Sequence, residues 1–440
     1  YIVISQNYIN NGFNFFKPEI SWPAEPPRVT AIEFPLVPYV TAFLTFLFGL
    51  NVYSIRFVTL VSFLVMTYYL FRLAKRELGP VIGLLSAFVV SILPLYHPFG
   101  AFLFSEPLMI TFSLMAIYYF NEWLYHEQNR DWIVSIFCYS IAIALKLEPL
   151  FLLLLIFFLA YKKFGRAIFH NRRIIIFVFA SLIIALLWYP YAFYLSQTSL
   201  GVFNITGGVH GGHDLFQTFS KMSDLSYYKT MAGRIKAIGG IIGIPLFLFG
   251  FAITLWFRIN RLFLVYLASV IVYFLIVAEG NLDAPYRQMN VFPPFSVFVA
   301  LGALGAAAII LILYQLANKS IRINDHRYAG IALALVIISF IIISKGNVIF
   351  MRDPAIAVDK SRWLLAQELR KHAQIGDKII TLGEYTIHKG GNDVSPVIYY
   401  YSGLQGWTLQ KADWRVTRVE ELVDRGASYL VACEMYREPD

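Results

Sequence analysis

Ten long apolar segments run through this chain, at residues 53–74, 79–97, 103–124, 131–145, 147–163, 173–195, 238–257, 261–278, 289–315 and 327–346. A helix needs about 20 mainly apolar residues, within a range of about 17–25, to cross a bilayer. Lipid offers no partner to backbone N–H and C=O groups, so segments of this kind must cross as helices. The whole chain is only 14% charged, against roughly 25% in a soluble domain. The chain is 58% hydrophobic, with a mean hydropathy of +0.62. Its aromatic share of 17% suits residues that collect where membrane meets water. Cys138 falls inside an apolar segment and Cys433 in a polar tail, so no disulfide framework is expected. The expected fold class is an all-α multi-spanning membrane protein of about ten transmembrane helices, with a small C-terminal α/β domain outside the membrane.

Orientation follows from the basic residues. Alternate short loops hold Arg72, Lys75 and Arg76; then Arg130; then Lys162, Lys163, Arg166, Arg172 and Arg173; then Arg258 and Arg261; then Lys319, Arg322 and Arg327. The opposing short loops hold little beyond Lys146 and Arg287. Lys and Arg mark cytoplasmic loops. The alternation is consistent only if 131–163 is two spans, with a tight turn at Lys146, Glu148 and Pro149. Most of the formal net charge of +9 is thereby explained without nucleic acid. The protein is expected in the inner (plasma) membrane.

Three regions fall on the opposite, extracytoplasmic face. Residues 1–52 form a first external loop, with a juxtamembrane helix over 36–50 entered through Pro35 and Pro38. Residues 196–237 form a second loop, which includes GGVHGGHD. Residues 347–440 form the third, and 53–346 are the transmembrane core between. Within the tail, DKSRWLLAQELRKHAQIGDKIITLG reads as helix, turn and strand. VIYYYSG reads as a strand, RVEELVDRGA as a helix closed by Gly426, and SYLVACE as a strand. The sequence starts on Tyr1 rather than Met and shows no signal peptide, so it reads as lacking its natural start.

Few charges lie on the apolar segments. Five lie at or beside the ends of apolar stretches on the extracytoplasmic side: Glu33, Glu106, Lys146, Glu148 and Arg287. A transporter usually places ionisable groups near the bilayer midplane. Gathering them at one interface suits chemistry on a substrate whose apolar tail lies in lipid. Glu33 is either a metal- or phosphate-site carboxylate or an acid favoured by a helix dipole. Glu106, between Ser105 and Pro107, is either a helix-start acid or a carboxylate that binds a cation or orients an acceptor. Lys146 either pairs with Glu148 or binds a lipid phosphate. Arg287 is either an interfacial snorkelling residue or a phosphate ligand. His210, His213 and Asp214 have a spacing open to metal ligation, within a glycine-rich loop that reads equally as plain and flexible. No P-loop, GxSxG or HExxH motif is present.

The stretches EFPLVPYVTAFLTFLFG, YSIRFVTLVSFLVMTYYLFRLAKRELGP, SILPLYHPFGAFLFSEPLMITFSLMAIYYF and ALKLEPL carry a family resemblance. Over roughly 1–310 the chain resembles bacterial polyprenyl-phosphate-sugar glycosyltransferases of the C-type fold (GT-C). These are relatives of protein O-mannosyltransferases and lipid A aminoarabinose transferases. The tail from 355, with YYYSGLQGW, is similar to the extracytoplasmic region of some bacterial members. The resemblance implies transfer of a hexose or pentose from a polyprenyl-phosphate donor, with inversion, to an extracytoplasmic glycan, lipid or protein. The family's first-loop acidic motif would precede Tyr1, and with it the expected base. Glu33 matches an acid before the juxtamembrane segment, followed here by Phe34 where the aminoarabinose transferases have Lys. Glu106 stands where many relatives have Asp, and Lys146 matches a lysine that precedes a proline. Arg287 is a further positional match. Glu33 and Glu106 are thus the expected catalytic carboxylates, Lys146 and Arg287 the lipid-phosphate ligands, and Glu33 with His213 the candidate ligands of a divalent cation. A flippase of lipid-linked glycans, and an O-antigen polymerase or ligase using a diphosphate donor, are the alternatives.

Overall fold

The computed structural model describes residues 1–22, 24, 25, 27–49, 52–93, 104–199, 221–259, 261–283, 285–317, 330, 331, 334, 337, 338, 360–374, 376–382, 397–409 and 413–432. The chain divides into two compact units. One, here the helical unit, comprises Arg56–Trp188 and His213–Asp353. The other, the mixed unit, comprises Tyr1–Ile55, Tyr189–Gly212 and Pro354–Asp440.

Among the described residues, four helical segments are long and apolar enough to cross a membrane: Arg56–Leu78, Arg172–Thr198, Leu225–Trp256 and Tyr286–Tyr314. Leu36–Phe48, Pro80–Ile92 and Leu262–Ile276 are shorter apolar helices. Residues 131–163 form two helices, Asn129–Leu145 and Leu153–Phe164. A 3-10 turn over Glu148–Leu152 joins them, with Pro149 in its first turn, where the missing N–H costs nothing. The segment expected at 238–257 belongs to a longer helix, Leu225–Trp256, broken at Gly240 (φ 63°). That left-handed backbone favours glycine. Most of the expected span 327–346 lies outside the described residues, as do residues 200–220, which contain GGVHGGHD.

Within the helical unit, Leu225–Trp256 packs most extensively against Phe292–Ala317. The crossing is set by Gly250 and Gly302. A Cβ on Gly250 would sit 2.7 Å from the Gly302 nitrogen and nearer still to the Phe298 carbonyl oxygen. Small residues let membrane helices approach backbone to backbone, where dispersion rather than hydrophobic transfer holds them. Helix Glu106–His126 pairs with Asn129–Leu145. Helix Val52–Leu78 is pinned to Glu106–His126 by Thr111 Oγ1 donating to the Ser62 carbonyl (2.6 Å). Towards the other end the same two helices are held by Asn121 to Glu77 (2.7 Å) and by the Arg76–Glu122 ion pair. Between these contacts the Tyr69 and Tyr119 hydroxyls pair (2.9 Å), and Arg72 donates to the Tyr118 hydroxyl.

The mixed unit contains a three-stranded parallel sheet of β1 (Lys378–Leu382), β2 (Gln405–Leu409) and β3 (Ala427–Ala432), in the order β2-β1-β3. Lys378 faces Gln405 and Leu382 faces Leu409 across β1 and β2. Helices Lys360–His372 and Val416–Asp424 form as the sequence predicts, and Gly426 (φ 95°) follows the second. VIYYYSG departs from expectation: Val397–Ser402 is a helix, and the strand begins only at Gln405. The Val/Ile/Tyr-rich composition favours a strand. Burial of Ile398, Tyr399 and Ser402 has helical spacing instead, and tertiary packing decides. Trp22 stacks on Tyr399 (centroids 5.3 Å apart, 16° between planes). Val3, Ile4, Tyr8, Ile20 and Trp22 share one core with Ile379, Ile398 and Val431, so the N-terminal segment and the tail build this unit jointly.

Candidate active site

Four of the five charges expected at one interface fall in the helical unit. Glu106 is the first residue of Glu106–His126, followed by Pro107. A carboxylate there meets the positive end of the helix dipole. It is 1% exposed, and a buried charge of this kind requires a partner. Lys146 provides it. Helix Asn129–Leu145 ends at Lys146, whose backbone turns extended (φ −158°, ψ 150°). This delivers a 7%-exposed ammonium to Glu106 Oε1 as a buried ion pair. Sequence proximity suggested Glu148 as the partner of Lys146; the structure gives that place to Glu106, forty residues away in sequence.

Glu148 opens the 3-10 turn and is held separately. Asn290 Nδ2 donates to its Oε2 (2.6 Å) and lies 3.2 Å from the Arg287 carbonyl oxygen. Arg287 and Asn290 share the 3-10 segment Pro285–Val291, which leads directly into helix Phe292–Ala317. Arg287 lies within electrostatic reach of Glu148, Tyr273, Tyr286 and Glu106. Its Nε is buried with no hydrogen-bond partner among the described residues. A planar guanidinium with a donor still unused suits an oxyanion.

Aromatic rings complete the site. Lys146 Nζ sits over the Tyr286 ring, 5.1 Å from its centroid, and Phe104 stacks on that ring (4.9 Å, 22°). Tyr139, fully buried, donates to the Pro149 carbonyl (2.7 Å) and fixes the turn that carries Glu148. Asn290, Tyr286 and Phe104 were missed in the sequence. Their only signal is adjacency, Phe104 two residues before Glu106 and Tyr286 next to Arg287.

Glu33 lies in the mixed unit, where its Oε2 accepts a hydrogen bond from the Tyr1 hydroxyl (3.1 Å). His210, His213 and Asp214 lie outside the described residues. Among the described residues no group of three His, Cys, Asp or Glu side chains converges as a metal site.

A family model described as dolichyl-phosphate-mannose-protein mannosyltransferase matches residues 27–192. No curated protein matches the sequence. Among solved structures, the chain is similar to ArnT from Cupriavidus metallidurans bound to undecaprenyl phosphate. The identity is 14% and the TM-score 0.60, over 98% of this chain and 84% of that one. It is similar to the apo state of the same protein (13%, TM-score 0.60, 97% and 83% covered). It is also similar to an oligosaccharyltransferase from Archaeoglobus fulgidus tethered to an acceptor peptide (11%, TM-score 0.56, 98% and 64% covered). The chain thus shares the fold of these solved glycosyltransferases, and the mannosyltransferase family model matches its N-terminal part, residues 27–192.

Proposed function

We propose that this protein transfers a sugar from a polyprenyl-phosphate donor to an acceptor outside the cytoplasm, with inversion at the anomeric carbon. The observation that carries the reading is the cluster at the head of the helical unit. Lys146 is buried against Glu106, and Arg287 holds a buried Nε with no partner among the described residues. The ArnT structure with undecaprenyl phosphate supports the choice of lipid. The ten-span topology, with basic loops in the cytoplasm and the cluster facing away from it, is part of the proposal.

The acceptor's nucleophile forms the new bond to the anomeric carbon as the bond to the phosphate oxygen breaks. The electron pair leaves with the polyprenyl phosphate, and the nucleophile's proton passes to a carboxylate. Lys146 and Arg287 stabilise the negative charge growing on the phosphate. Such groups, fixed in a site of low dielectric, are each worth about 10²–10³ in rate. Glu106 holds Lys146 and orients the acceptor. Glu33, in the mixed unit, remains a second proposed catalytic carboxylate, and a divalent cation remains a proposed cofactor. The sugar is a hexose or pentose.

The test reconstitutes the protein in proteoliposomes with a radiolabelled polyprenyl-phosphate sugar and follows label into water-soluble or acceptor-bound product, with and without EDTA. Enzyme-dependent release supports transfer, and loss with EDTA supports the cation. Intact donor crossing the bilayer without cleavage would replace the reading with a flippase.

A further inference from the structure

Lys146 faces a conflict if it is to serve a donor phosphate. Its ammonium is paired with Glu106, and an incoming phosphate must compete with that carboxylate for the same donors. A lysine on a flexible four-carbon stem, held by one carboxylate alone, would be free to follow it away from the phosphate. The structure supplies a second hold on the side chain.

Tyr286 lies under Lys146, with the ammonium 5.1 Å from the ring centroid. The ring is fixed on another side by Phe104, stacked at 4.9 Å with 22° between planes. Tyr286 is half-buried and Lys146 almost wholly buried, so the attraction acts in a partly desolvated setting, where a cation–π contact is strongest. The aromatic face is uncharged. It attracts the ammonium without using any of its N–H donors in hydrogen bonds, and it does not repel a phosphate as a second carboxylate would. The platform is also tied to the rest of the cluster through sequence: Phe104 precedes Ser105 and Glu106, and Tyr286 precedes Arg287.

We infer that Tyr286, backed by Phe104, is a positioning residue that holds Lys146 in place while its ammonium passes from Glu106 to the phosphate of a polyprenyl-phosphate lipid. The inference rests on the donor reading above.

The experiment titrates the detergent-purified protein with undecaprenyl phosphate, read by microscale thermophoresis. Tyr286→Phe keeps the ring and binds like wild type. Tyr286→Leu removes the ring and weakens binding on the order of tenfold. Combined with Lys146→Met, Tyr286→Leu adds nothing to the loss from Lys146→Met alone, because it acts through that lysine. Equal binding by wild type and Tyr286→Leu overturns the inference, as does equal loss in the Phe and Leu variants, which would make the hydroxyl the active group. Thermal unfolding of wild type, Tyr286→Leu, Lys146→Met and the double variant measures the Tyr286–Lys146 coupling without any lipid. If wild type binds no undecaprenyl phosphate, the donor reading falls, and the thermal cycle alone decides the platform: non-additivity upholds it and additivity overturns it. Should Tyr286→Leu not fold, Phe104→Leu leaves the Tyr286 ring unbacked and carries the same cycle.

Discussion

Alanine at Gly250 or Gly302 tests how the helical unit holds its site. A Cβ on Gly250 would lie 2.7 Å from the Gly302 nitrogen, and one on Gly302 would lie 2.7 Å from the Leu246 carbonyl carbon. Ordinary contacts between such atoms are about 3.5–4.0 Å, and the neighbouring carbonyl oxygens lie nearer still, so the two helices must separate by at least about 1 Å. The obstructing atoms are backbone and cannot rotate away. A gap of that size forfeits about a quarter to a half of each dispersion contact along the crossing. Overpacking of this kind costs about 1–3 kcal/mol. Alanine's better helix propensity returns up to about 1 kcal/mol. Taking the upper part of the range for a backbone clash leaves each single variant about 2 kcal/mol less stable, a fall in Tm of roughly 4–8 °C at about 2–4 °C per kcal/mol. The double variant costs less than the sum of the singles, because helices already moved apart by one methyl accommodate the second. Gly243→Ala is the control: its Cβ would sit 3.9 Å from the Phe295 ring, and no loss is expected. Thermal unfolding in detergent reads all four proteins. Because Arg287 and Asn290 lead into the displaced helix, turnover falls with stability in Gly250→Ala and Gly302→Ala. Strict additivity, or single variants as stable as Gly243→Ala, would refute a crossing set by backbone contact.

Lys146→Met strands the Glu106 carboxylate in the interior and lowers stability by about 3–5 kcal/mol, whereas Glu106→Gln with Lys146→Met recovers much of it; denaturant titration of the two separates them. Gly406→Val drives a side chain into the Ile379 backbone and disorders the β1–β2 pairing, seen as raised amide exchange at 378–382. Lys371 and His372 hold the exposed Glu368 carboxyl below its ordinary value of 4.5. The stability it contributes is therefore present above pH 4.5 and lost as pH falls through the lower folded value, so Glu368→Gln flattens the acid limb of the unfolding profile slightly.

Local signals carried well where local chemistry decides the outcome. The apolar runs either side of Lys146 became two helices because Pro149 cannot continue the first, and Gly426 marks the approach to β3 because it takes a positive φ. Composition misled at Val397–Ser402, where a β-favouring run is helical because Ile398 and Tyr399 share a core with Trp22 and Ile4. That partner is far away in sequence, and no local window contains it. The same distance hid the Glu106–Lys146 pair. Both residues were visible as costly charges on apolar segments, but the nearer Glu148 was the natural partner until the fold joined the starts and ends of neighbouring helices. Asn290, Tyr286 and Phe104 carry no charge and so gave no comparable signal.

In the proposed reaction the Glu106–Lys146–Arg287 cluster cleaves a polyprenyl-phosphate sugar. Its most direct measurement is the free polyprenyl phosphate formed per sugar transferred by wild type, Glu106→Gln and Arg287→Met proteins in proteoliposomes. Wild type forms one free lipid phosphate per sugar transferred. In both variants the rate falls by about 10²–10³ when compared at equal amounts of folded protein. Wild-type rates in both variants, or sugar moved across the bilayer with its lipid bond intact, would contradict it.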